Sequence, residues 1–143
     1  MLRTLLAPNP SPMTLQGTQT YIIGRERCAI IDPGPDSAEH LDAVAQAVSG
    51  GVSTYILVTH AHSDHDAGAA ALAERLVAPI LSAERGLQDG DVIPTDEGDL
   101  IALHTPGHTP DHMSFWWPIE SAIFCVKSPS ATALMTRATS VVG

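Results

Sequence analysis

Long apolar runs are missing from this 143-residue chain. None approaches the roughly 18–20 consecutive apolar residues that a bilayer-spanning helix requires, so no membrane segment is expected. Cysteine is scarce as well. Cys28 and Cys125 are the only two, which allows at most one disulfide and offers no paired-cysteine zinc spacing; a disulfide-scaffolded secreted domain is thereby excluded. Both are expected reduced, on strands. Basic residues are few: seven Lys and Arg stand against sixteen Asp and Glu, a net charge of −9. Such a surface repels a phosphate backbone and attracts divalent cations, so nucleic acid is not an expected partner. The opening segment carries Arg3 and a brief Leu5-Leu6-Ala7 before Pro8, Pro10 and Pro12 break it. It lacks the apolar helix of a secretory signal, and a cytoplasmic location is expected.

What is present is a globular composition, 44% hydrophobic and 16% charged, on a chain long enough for one core. The acids are unevenly placed. Residues 1–112 hold 15 acids against 5 bases, whereas residues 113–143 hold Glu120 against Lys127 and Arg137. Residues 19–23 and 28–32 are β-branched runs around Gly24-Arg25-Glu26-Arg27 and predict a hairpin. After Pro33-Gly34-Pro35, Asp36 with Glu39 three residues on resembles a capping box, opening a helix to about Val48 with Leu41, Val44 and Val48 inside. Tyr55 to Val58 predicts a strand covered on both faces. Ala67 to Val77 predicts a helix, with Leu72, Leu76 and Val77 as core contacts, ended by Pro79 before a short strand at Ile80-Leu81. Further strands are expected at 100–104, 113–117 and 122–125, while the tail from Lys127 shows no clear period. The β-α-β-α-β order is an α/β pattern.

The chemistry concentrates directly after the apolar strand at Tyr55 to Val58, in Thr59-His60-Ala61-His62-Ser63-Asp64-His65. In an extended segment, side chains two apart point the same way. His60 and His62 are therefore suited to one ion, with Asp64 and His65 facing another position. Zinc takes such nitrogen and oxygen ligands at ~2.0–2.2 Å, and a catalytic site adds water to three protein ligands. His108, after the Pro106-Gly107 turn, is the third candidate ligand of the first ion. His104 and His112 are expected to cap a turn or to hydrogen-bond a ligand. His40 is expected to be an exposed helix residue, and Trp116-Trp117 to pack at the core and its rim. Asp32 either begins a turn or orients a ligating histidine.

His60-Ala-His62-Ser-Asp64-His65 resembles the His-x-His-x-Asp-His hallmark of the metallo-β-lactamase superfamily. The resemblance runs over about residues 7–125. Asn9 to Thr14, Gly17 to Tyr21, Ile31-Asp32-Pro33-Gly34 and Thr105-Pro106-Gly107-His108-Thr109 look like its glyoxalase II-like and β-lactamase-like protein 2 branch. It implies an αββα sandwich, here mainly its N-terminal half. It also implies hydrolysis by a metal-bound hydroxide of a small ester, thioester, lactone or lactam. By matched position, His60, His62 and His108 hold one zinc ion and Asp64 and His65 a second. Manganese or iron(II) would also suit these ligands. Asp64 doubles as the catalytic acid or orienting group.

The family pattern is not followed after Ile123-Phe124-Cys125, where it would supply Gly-Asp and later another histidine. Val126 to Ser130 looks like an insertion or replacement, and Ala131-Thr132 stands roughly where Gly-Asp would fall. Residues 1–143 are thus expected to form one domain, truncated or altered after about 125, with a sheet face covered by a second copy or another partner. A metal-binding but catalytically weak half-domain is the rival reading. A phosphodiesterase or ribonuclease activity is a third, opposed by the charge.

Overall fold

The computed structural model describes residues 2–6, 19–48, 53–60, 68–106, 110, 112–127 and 131–136. Ten strands and two α-helices are arranged there as two five-stranded sheets, with the helices on the outer face of the first. The first sheet runs β1 (Leu2–Leu6), β2 (Gln19–Ile23), β3 (Arg27–Ile31), β4 (Ser53–Leu57) and β5 (Ile80–Leu81), in sequence order. Its first three strands pair antiparallel, β2 and β3 being the expected hairpin. From β3 onward the pairing is parallel, because α1 (Ala38–Ala47) and α2 (Ala69–Leu76) return the chain between strands.

The second sheet is antiparallel throughout, in the order β10-β9-β8-β7-β6. It comprises β6 (Val92–Ile93), β7 (Leu100–His104), β8 (Met113–Trp117), β9 (Ala122–Lys127) and β10 (Ala131–Thr136). The tail past Lys127 therefore does form a strand. Its Ala-Thr-Ala-Leu-Met-Thr sequence has no clear period-2 alternation to announce one, and pairing with β9 supplies the order.

Alternation along the strands builds two cores. Ile23, Ile31, Leu57, Leu100, Phe115 and Phe124 lie between the sheets, with Phe124 set against Tyr21 at 5.1 Å and Trp117 at 6.1 Å between ring centres. Ile22, Ile30 and Ile56 point the other way, onto Leu41 and Val44 of α1 and Leu72 of α2. The continuous run in β4 is thus read as expected, buried on both faces. Trp117 gives its indole N–H to Glu97 O at 3.0 Å, and Trp116 is half-buried, matching the core-and-rim expectation.

Three local expectations are corrected. The N-cap of α1 is Ser37, whose Oγ accepts from His40 N, rather than Asp36. Val77 is 91% exposed: it is the left-handed residue (φ 53°) that terminates α2, so its side chain turns away from the apolar face. His40 is buried at 3% exposure, because Leu41 and Val44 of its own helix draw that face onto the sheet.

Candidate metal centre

The register of β3 and β4 sets up the site. Ile31 stands beside Leu57 in parallel pairing, so Asp32 and Thr59-His60 leave the sheet at the same edge, where parallel strands end and ligand sites form. Asp32 adopts φ 53°, a conformation aspartate tolerates better than most residues. Its backbone is held from both sides: N donates to Leu57 O at 2.8 Å, and O accepts from Thr20 Oγ1 at 2.8 Å. With the turn fixed, the carboxylate faces the β4 end. Oδ1 accepts from Thr59 N and Oδ2 from Thr59 Oγ1, each at 2.8 Å. Asp32 thus makes the turn and orients its neighbours at once.

The consequence passes to His60, which is 2% exposed. A threonine hydroxyl has one proton. Having given it to Asp32, Thr59 Oγ1 accepts from His60 Nδ1, 2.9 Å away. The proton of His60 is therefore on Nδ1, and Nε2 keeps its lone pair, the form in which an imidazole ligates a metal. A metal-bound histidine gives its other ring N–H to an acceptor that fixes tautomer and orientation; Thr59 Oγ1, backed by Asp32, is such an acceptor, and in that respect the residue fits a metal. The Thr59 relay had a sequence signal only in its position, directly before the histidine at a strand end.

From the second sheet, Met113 N donates to Thr59 O at 2.8 Å, tying the start of β8 to the residue before His60. His112 lies just before β8, 4% exposed, with its ring centre 5.8 Å from that of His60 and the planes 38° apart. Its Nδ1 is 2.8 Å from Thr105 Oγ1 and 3.0 Å from Thr105 O. Thr105 Oγ1 is also 2.7 Å from Ser114 Oγ. Thr105 N donates to His112 O at 3.0 Å, and the exposed His104 bonds Pro110 O through Nε2 at 2.9 Å. The loop carrying His108 is thus clasped at its base, and His104 takes the turn-capping role expected of it.

The loop carrying the other histidines is anchored too. Gly68 N donates to Gly34 O at 2.9 Å, and a Cβ on Gly68 would stand 2.8 Å from Pro35 O and 2.9 Å from Leu41 Cδ2. Gly68 was not singled out from sequence, since only this close approach reveals the need for it. His62, Asp64, His65 and His108 lie outside the described residues. Among the described residues no group of three or more His, Cys, Asp or Glu side chains could hold a metal ion.

Behind the site, His40 Nε2 is 2.9 Å from Thr20 Oγ1. Burial pushes its pKa below the usual 6.5, opposed by a hydrogen bond to the Pro33 carbonyl.

Residues 13–87, just over half of the chain, match the family model described as the metallo-beta-lactamase superfamily. The chain belongs to that superfamily. Among its curated relatives, a beta-lactamase-like protein 2 homolog of Caenorhabditis elegans is 33% identical over 84% of this chain and 47% of its own length. An atrochrysone carboxyl ACP thioesterase of Aspergillus novofumigatus is 34% identical over 84% of this chain and 41% of its own. The chain spans less than half the length of these two relatives. The crystal structure of ETHE1 from Myxococcus xanthus superposes with a TM-score of 0.66 at 28% identity, covering 82% of this chain and 54% of that one. The two-sheet sandwich with helices on its first sheet is thus the metallo-beta-lactamase fold. Among the described residues, no helix is long and apolar enough to cross a membrane.

Proposed function

We propose that this chain carries the metal-binding portion of a zinc-dependent hydrolase acting on a small ester or thioester. The observation that carries the reading is the Asp32–Thr59–His60 chain, which fixes a buried imidazole with Nε2 as its basic nitrogen at the sheet edge from which the histidine-rich loop departs. His60, His62 and His108 would hold the first ion, and Asp64 and His65 a second. Bound there, the ion would polarise the carbonyl under attack and make water a nucleophile at neutral pH. The chain's own part is to hold the ligands: Asp32 and Thr59 set the tautomer of His60, and the Thr105–His112 and His104–Pro110 contacts clasp the loop bearing His108. Asp64 serves as the orienting acid. A thioester is favoured because a relative bears the name of an ACP thioesterase. The acidic charge of −9 speaks against a phosphodiester backbone. We place the chain in a reducing, cytoplasmic setting, because two cysteines are too few for a disulfide-scaffolded secreted domain.

A second reading, a metal-binding unit with little turnover, is favoured by one observation. Within the sequence, Ala131-Thr132 stands roughly where the family pattern would supply Gly-Asp after Ile123-Phe124-Cys125. The test measures zinc per chain by elemental analysis, together with thioester hydrolysis before and after chelation, in wild type and His62→Ala. Turnover that falls on chelation, returns with zinc and is lost in the variant supports the hydrolase. Stoichiometric zinc without turnover supports the second reading, and a chain that takes no zinc overturns both.

A further inference from the structure

We infer that His112 is a positioning residue of the metal site, holding the His60 imidazole in the plane from which Nε2 ligates; the inference rests on the metal reading above. The hydroxyl of Thr59 reaches one atom of His60, Nδ1. That bond holds the ring at one edge. The imidazole of His112 flanks it, 5.8 Å away between centres and tilted by 38°. His112 in turn is held at its own edge. Thr105 O is a carbonyl and can only accept, so the proton of His112 is on Nδ1, directed to Thr105, whose hydroxyl is linked to Ser114. The ring is therefore placed by the ends of β7 and β8, while Thr59 and Asp32 work from the first sheet.

A histidine that merely closed the turn at Thr105 would need its Nδ1–H alone, and its ring could face solvent. Here the residue is buried and its ring lies beside the second imidazole. The Met113 N–H bond to Thr59 O fixes the spacing between them. His60 thereby takes its position from both sheets, and the site depends on their packing rather than on the β4 end alone. This extends the residues controlling the ion beyond the two histidine loops.

The test uses cobalt(II) as the probe, with affinity measured by competition against a chromophoric chelator and geometry by the visible absorption of the bound ion. His112→Asn keeps an N–H near the Nδ1 position but removes the ring; His112→Phe keeps a ring without the donor. Circular dichroism and melting of the metal-free proteins establish that each is folded. The expected result is a His112→Asn protein that folds but binds cobalt about 10–100-fold more weakly, the usual cost of losing a group that orients a ligand, with a shifted absorption band. His112→Phe should lie closer to wild type. Wild-type affinity and spectrum in folded His112→Asn would overturn the inference, as would loss of fold in both variants, which would make the residue simply part of the core. A wild-type chain that binds no cobalt would instead remove the metal reading itself.

Discussion

Replacing Thr59 by valine tests the relay with the least change of shape. The side chain is fully buried, and valine fills nearly the same volume, so the perturbation is the loss of one hydroxyl. That hydroxyl serves two partners: it donates to Asp32 Oδ2 at 2.8 Å and accepts from His60 Nδ1 at 2.9 Å. Each buried polar group left without its partner costs about 1–3 kcal/mol, so the pair amounts to about 2–4 kcal/mol once some relaxation is allowed. Asp32 Oδ1 keeps its bond from Thr59 N, which bounds the damage on that side. A second consequence reaches the metal. Without its acceptor, the Nδ1–H no longer fixes the tautomer or the orientation of His60, and zinc affinity should fall about 10–100-fold. Urea unfolding of the metal-free protein measures the first effect, and chelator competition for zinc the second. Thr59→Ser restores the hydroxyl and should recover most of both. The relay argument is refuted if valine and serine behave alike in the two assays.

The buried His40 gives the stability a pH dependence. Its folded pKa lies below the unfolded value of 6.5, so the unfolded chain binds more protons as pH falls; the stability is fully present above about 6.5 and is lost as pH drops toward the folded pKa. Melting temperatures of wild type and His40→Gln between pH 8 and about 5 should diverge in slope, with the flatter profile in the variant; equal slopes would contradict this. At the end of α2, Val77→Gly should raise stability by roughly 0.5–1 kcal/mol in chemical denaturation, since glycine takes φ 53° without strain and the valine side chain is exposed. A fall in stability would show that the valine makes an unseen contribution. Ile101, Trp116 and Ile123 stand opposite one another across β7, β8 and β9, half-buried and turned away from the core between the sheets. No acid interrupts that row, so it should pair with the same row of a second copy, its apolar area contributing about 25 cal/mol per Å² buried. Sedimentation velocity should find a dimer that Trp116→Lys converts to monomer; a monomeric wild type would count against it.

Much of the architecture was legible because local patterns and tertiary needs agree. The β2–β3 hairpin, the doubly covered run at 55–58 and the buried face Leu41, Val44 and Val48 follow from hydropathy period and turn chemistry, and folding had no reason to override them. The density of histidine after β4 made that strand end the candidate site before any contact was known. Where reading failed, a side chain was placed by its neighbours and not by its own segment. β10 is ordered by β9, and Val77 is expelled by the left-handed turn that ends its helix. His40 is drawn inside by the residues on either side of the same face.

The sequence by itself determined the alternation that makes two sheets, the helices that make part of the first one parallel, and the residue types able to bind a metal. Only the tertiary structure decided that Asp32 meets Thr59, that His60 carries its proton on Nδ1, and that His112 comes from the other sheet to lie beside it. Composition and period are properties of one segment. A tautomer and a ring plane are set by hydrogen bonds and packing among residues 27 and 52 positions from one another, and those distances close only when the sheets pack.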